Sequence, residues 1–94
     1  MKIMQEHIDK CKREMIEALS KVVHSKRIAT NKSMYAISAE CGLSKSTWRE
    51  AELSSCKNIS FSTLWQIAEG LNMKPSELVA LVEKELGSSF SFID

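Results

Sequence analysis

Apolar residues along this 94-residue chain recur at intervals of three and four, the period of a helix that buries one face. Over residues 5–29 the stripe is Ile8, Cys11, Met15, Leu19, Val22 and Val23, widened by Ile16, and it predicts one long first helix. Thr30, Asn31 and Lys32 break the pattern. Ser33 is placed to cap a second helix over about 34–41, and Ser44 a third over about 45–53, each through a hydroxyl that accepts from a free backbone N–H. Between them runs Cys41-Gly42-Leu43-Ser44, where glycine suits a sharp turn because it adopts the left-handed conformation at little cost. Residues 54–59 form a loop, and Ser60 caps a fourth helix over about 61–70, whose stripe of Leu64, Trp65, Ile67, Ala68 and Leu71 reads as core. Gly70 lies near the end of that helix, with Asn72 in the following turn. Pro75 opens a fifth helix over about 75–86, since its missing N–H would be unpaired in a first turn anyway. The tail, residues 87–94, has no helical pattern. No segment alternates with the period of a half-buried strand, so the predicted fold class is all-α, with five helices.

Composition narrows the picture without changing it. With 44% hydrophobic and 27% charged residues the chain has an ordinary globular make-up, and its length suits one domain. The net charge of +1 is unevenly placed: residues 1–32 carry eight Lys/Arg against four Asp/Glu, and residues 33–94 five against eight. Cys11, Cys41 and Cys56 form no C-x-x-C pair, and His7 and His24 fall at no zinc-ligand spacing, so no metal or cofactor is expected. The thiols read as buried structural residues in a reducing compartment. The start of the chain, Met1 to Glu6, lacks the apolar run of a signal peptide, and no stretch reads as a membrane span. A cytoplasmic location is the expectation. No nucleophile–base pair or carboxylate dyad stands out, which argues against an enzyme.

A helix, a tight glycine turn and a second helix make the helix-turn-helix unit, here about residues 33–53. In sequence, residues 18–79 resemble the Cro/C1-type (XRE family) helix-turn-helix domain of phage repressors and small bacterial regulators. The matching pieces begin with Ser25-Lys26-Arg27-Ile28, Ile37-Ser38 and the turn Cys41-Gly42-Leu43-Ser44. Lys45-Ser46-Thr47-Trp48 and Glu52 follow, then the run from Thr63 to Asn72 and the segment from Lys74 to Leu78. The resemblance implies a lambda-repressor-like domain over 18–86, preceded by a helical extension (1–17) that lengthens helix one and followed by the tail. It also implies an ion pair between Arg27 and Glu52. Four positions depart from the family pattern: Met34 replaces a phosphate-binding Gln, Lys32 an apolar residue, Trp48 a mid-sized aliphatic and Ser54 a glycine.

The function implied is sequence-specific binding of double-stranded DNA by a transcriptional regulator, with helix three in the major groove. Lys45, Ser46 and Glu50 are the expected base contacts: Lys45 can donate to guanine, Ser46 to either pair, and Glu50 can accept from cytosine N4. Lys32, Ser33, Thr47, Arg49, Lys57, Asn58 and Ser60 are the expected phosphate contacts, Ser33 and Ser60 at helix N-termini where free N–H groups favour an anion. The surplus apolar faces of the extension and helix five, with Phe90, Phe92 and Ile93, suggest a homodimer on a palindromic operator, or else an extension folded back over helix five. The neutral net charge, Met34, Glu50 and Glu52 keep open a protein-interaction module such as an antitoxin, with a toxin or RNA polymerase as partner.

Overall fold

Five helices form in chain order, and the computed structural model describes residues 2–93, with side chains from Met4 onward. Met1 and Asp94, the outer ends of the expected extension and tail, lie outside the described residues. The helices are α1 (Lys2–Thr30), α2 (Met34–Glu40), α3 (Lys45–Glu52), α4 (Phe61–Gly70) and α5 (Pro75–Leu86). Among the described residues there is no strand, and the chain is all-α. None of its helices is long and apolar enough to cross a membrane. At 1.5 Å per residue the 29 residues of α1 span about 43 Å, close to the molecule's longest dimension of 44 Å. The other four helices gather along it.

Short helices need defined ends, because few of their backbone groups are paired internally. Ser33, Ser44 and Ser60 each accept a hydrogen bond from the N–H three residues on, at 3.1 Å in all three cases. Each such cap contributes about 1 kcal/mol. Pro75 occupies the first turn of α5, and the Lys74 N–H donates to the Glu77 carboxylate at 2.8 Å. The helix ends are equally regular. Leu43 donates to Ser38 carbonyl, Ser55 to Glu50 and Met73 to Ala68, at 2.9, 3.0 and 2.9 Å, each across a residue in the left-handed region. Those residues are Gly42, Ser54 and Asn72. Glycine and asparagine accept this conformation readily, whereas serine does so at a cost.

The core lies where α1, α3, α4 and α5 meet, built from Leu19, Val23, Ile37, Trp48, Ala51, Ile67, Ala68, Leu71 and Leu78. Trp48 is fully buried at its centre. A Cβ on Gly70 would lie 3.3 Å from the Trp48 ring and 3.2 Å from Cys41, so the bare backbone of α4 is what admits so large a side chain on α3. Gln66 strengthens the same contact by donating to the Cys41 carbonyl at 3.1 Å.

The structure corrects three sequence expectations about burial. Trp65 is 46% exposed, not core: it stands about 100° around α4 from the buried stripe, and its ring packs edge-to-face on exposed Phe61. Met15 is 39% exposed, while Ala18 and Ser20 are buried in its place. Small side chains let neighbouring helices approach α1 closely, and the Ser20 hydroxyl donates to the Ala51 carbonyl of α3. Of the thiols only Cys11 is buried; Cys41 and Cys56 are half-buried, and all three are free.

The extension does fold along the rest of the chain. α1 packs against α5, and the tail returns across α1, where the Ser91 carbonyl accepts from the Cys11 thiol at 3.4 Å and lies 3.0 Å from His7 Nε2. Phe90 and Phe92 meet edge-to-face within that tail.

Ser54 is the one strained helix end, at φ +60° without an amide side chain to compensate. Ser54→Gly is expected to raise stability by about 0.5–1 kcal/mol, the release of left-handed strain exceeding glycine's entropic cost. For a domain of this size that is a rise in Tm of about 2–8 °C, readable by thermal denaturation.

Candidate functional site

The Glu52 carboxylate, at the last residue of α3, organises this end of the molecule. Its side chain has no solvent exposure, and a buried charge needs close partners. Arg27 of α1 donates Nε–H to both oxygens, at 2.8 and 3.0 Å. The Trp48 indole N–H donates at 2.7 Å from one turn earlier in α3. His24 Nδ1 lies 2.6 Å from the other oxygen, and because a carboxylate only accepts, that nitrogen carries the hydrogen. Arg27 then donates Nη1–H to the Lys32 carbonyl at 2.9 Å, fixing the approach to α2. Burial pushes the Glu52 carboxyl up, but hydrogen bonds from Arg27, His24 and Trp48 outweigh it and hold the group below the usual glutamate range. Arg27 is correspondingly held above its ordinary value by its hydrogen bond to Glu52.

Over that buried support α3 turns a polar face outward. Lys45, Ser46, Arg49 and Glu50 are exposed, while Trp48 and Ala51 point into the core. Among the described residues neither Lys45 nor Arg49 is held in an ion pair. Thr47 is half-buried, and its hydroxyl lies 2.8 Å from that of Ser44, so it serves the helix cap. The hydroxyl of Ser46 lies 3.1 Å from the same Ser44 oxygen.

The remaining sequence-selected residues fall in two places. Thr47 and Glu50 of α3 line one small pocket with Asn58 and Ser60, which brings the α3–α4 loop and the start of α4 beside the recognition surface. Lys57 is exposed in that loop, and the Asn58 side-chain oxygen accepts from the Ile59 N–H at 3.0 Å. Lys32 and Ser33 stand at the start of α2. There Lys32 is committed to Glu40, at 2.7 Å, so its charge is already partly satisfied. Met34 is half-buried and packs on the core, a use for the side chain that a glutamine there would not share.

Sequence reasoning missed His24 and the Trp48 indole as partners of Glu52, and Gln66 as the tie between α4 and the α2–α3 turn. Spacing held a partial signal for Trp48, four residues before Glu52 and so on the same helix face. His24 and Gln66 offered none, because their partners lie on other elements. Burial also pushes the Cys41 and Cys56 thiols up, so both are held in the unreactive protonated form.

Glu52→Gln is expected to cost on the order of 3–5 kcal/mol at pH 7, because it leaves Arg27 without its counter-charge. Since the folded-state pKa of Glu52 is depressed, its contribution is complete above the unfolded value of about 4.3. That contribution is lost as the pH falls from there through the folded value. Urea denaturation between pH 7 and pH 3 should therefore show stability falling more steeply for the wild type than for Glu52→Gln.

Set against known proteins, the chain matches no family model, no curated protein and no solved structure.

Proposed function

We propose that this protein is a sequence-specific DNA-binding transcriptional regulator whose α3 enters the major groove. The observation that carries this reading is the outer face of α3. Lys45, Ser46, Arg49 and Glu50 are exposed together on a helix fixed from beneath by Trp48 and Glu52, and its two cations are not neutralised by neighbouring carboxylates. Such a face offers donors for guanine O6 and N7, an acceptor for cytosine N4, and charge for phosphate. Rigidity matters, because base readout requires side chains held in register with the groove. Resemblance of residues 18–79 to the Cro/C1-type domain supports the same reading. In it, Ser60 and Asn58 meet the backbone beside α3, Ser33 meets it at α2, and Lys32 contributes less because Glu40 holds its ammonium. A homodimer would present two such helices one turn apart, about 34–36 Å, to a palindromic operator. Occupancy of that site would then block or recruit RNA polymerase.

A second reading is favoured by one observation. Phe61, 72% exposed, and its neighbour Trp65 form an aromatic pair on the surface of α4. Large exposed aromatics are typical of protein-binding hot spots, as an antitoxin-type partner surface would need.

Selection of bound sequences from a random duplex pool separates the two. The regulator reading expects a palindrome enriched by the wild type and lost in Lys45→Ala/Arg49→Ala, with about 1–3 kcal/mol lost for each base-reading contact removed. An absence of enrichment even at low salt, where phosphate attraction is strongest, would sink it and leave the protein-binding surface as the function.

A further inference from the structure

A groove of about 700 Å³ runs between the N-terminal half of α1 and the α3–α4 loop. Lys12 and Arg13 line one side, Cys56, Lys57 and Asn58 the other, and Ile16 contributes apolar surface between them. Cys56 and Asn58 also line the small pocket that contains Thr47 and Glu50 of α3 and Ser60 of α4. The two concavities therefore adjoin, and a continuous track leads from the exposed face of α3 past the loop to the extension. We propose that this groove is a second tract of DNA-backbone contact, in which Lys12 and Arg13 bind phosphates flanking those met by α3. The inference rests on the DNA-binding reading above and extends its footprint to a part of the chain outside the family resemblance.

Three observations point to backbone phosphate as the occupant. Lys12, Arg13 and Lys57 are exposed, and among the described residues none is held in an ion pair, so the fold itself makes no use of their charge. Lys10, on another face of the same helix, is by contrast directed to Glu14 at 3.9 Å. Second, the described residues contain no buried, unpartnered polar side-chain atom, so the groove lacks the inward-aimed group that an enclosed small-ligand site uses for orientation. Third, the track is open and continuous with α3, the form suited to a linear polyanion carrying one charge per about 1.7 Å of duplex axis. Asp9 and Glu17 line the groove as well, against the three cations. Asp9 accepts from Gln5 at 3.0 Å, and Glu17 is the carboxylate that opposes phosphate most directly. Contacts of this kind add affinity and fix position on the duplex without reading sequence.

The test uses the full chain and its selected duplex in two lengths, one with several flanking base pairs and one trimmed to the recognised bases. Binding is followed by fluorescence anisotropy across a salt series, with circular dichroism confirming that each variant is folded. On the long duplex, Lys12→Ala/Arg13→Ala is expected to bind more weakly and to lower the slope of log K against log salt by about 1.8, or 0.9 per phosphate released. Its base preference should be unchanged, and on the trimmed duplex it should match the wild type. Glu17→Gln should bind the long duplex more tightly. Unchanged affinity and slope on the long duplex would overturn the proposal, as would an equal loss on both lengths, which would place the contact away from the flanks. In either case continued wild-type binding that Lys45→Ala/Arg49→Ala abolishes would leave the DNA-binding reading intact. Failure of the wild type to bind any duplex at low salt would remove that reading and this one together.

Discussion

Everything at the functional end of this protein hangs on one buried carboxylate. Glu52 closes α3, yet its partners come from α1 as well as from α3 itself. An ionised group without solvent exposure is tolerable only when its lone pairs are filled, and four donated hydrogen bonds fill them here. Those donors are directional, so satisfying the charge also fixes the angle between the two helices. Arg27 extends the same constraint to the Lys32 carbonyl and hence to the start of α2. A hydrophobic contact of equal size would hold α3 against α1 but would not set its rotation about its own axis.

Rotation decides which residues of α3 reach outward. Trp48 contributes to it twice, by filling the core and by giving Glu52 its indole hydrogen bond. Its bulk is accommodated because Gly70 leaves the facing backbone of α4 bare, and because Gln66 anchors α4 to the turn before α3. A large aromatic on one helix and a missing side chain on the next are complementary parts of one contact. The outcome is a short helix with little freedom and an outer face of Lys45, Ser46, Arg49 and Glu50.

The low net charge is consistent with this arrangement, because the carboxylates are unevenly used. Glu52 is consumed internally and Glu40 engages Lys32, whereas Lys45, Arg49, Lys12, Arg13 and Lys57 are held in no ion pair among the described residues. Local rather than total charge governs attraction to a phosphate backbone, since salt screens charges beyond about 10 Å. The aromatic pair on α4 is a different kind of surface, apolar and free of charge, and it lies on an element that the polar face of α3 does not include.

The sequence by itself determined the elements. Serine caps, the Cys41-Gly42-Leu43-Ser44 turn and Pro75 are local signals, acting within four or five residues, and the five helices begin and end close to where those signals stand. The burial of Trp48, Ile67 and Leu78 was legible for the same reason, since helical period alone places them on an inward stripe. Tertiary structure decided what period cannot express. Trp65 has the hydrophobicity of a core residue, but the centre is occupied by Trp48 and the stripe of α4 passes it by, so it stays at the surface. Met15 yields to Ala18 and Ser20 because close helix packing rewards small side chains. His24 meets Glu52 across 28 residues, and Lys12 shares a groove with Lys57 across a still longer separation. Such pairings depend on how helices cross, and crossing is fixed only when the core closes.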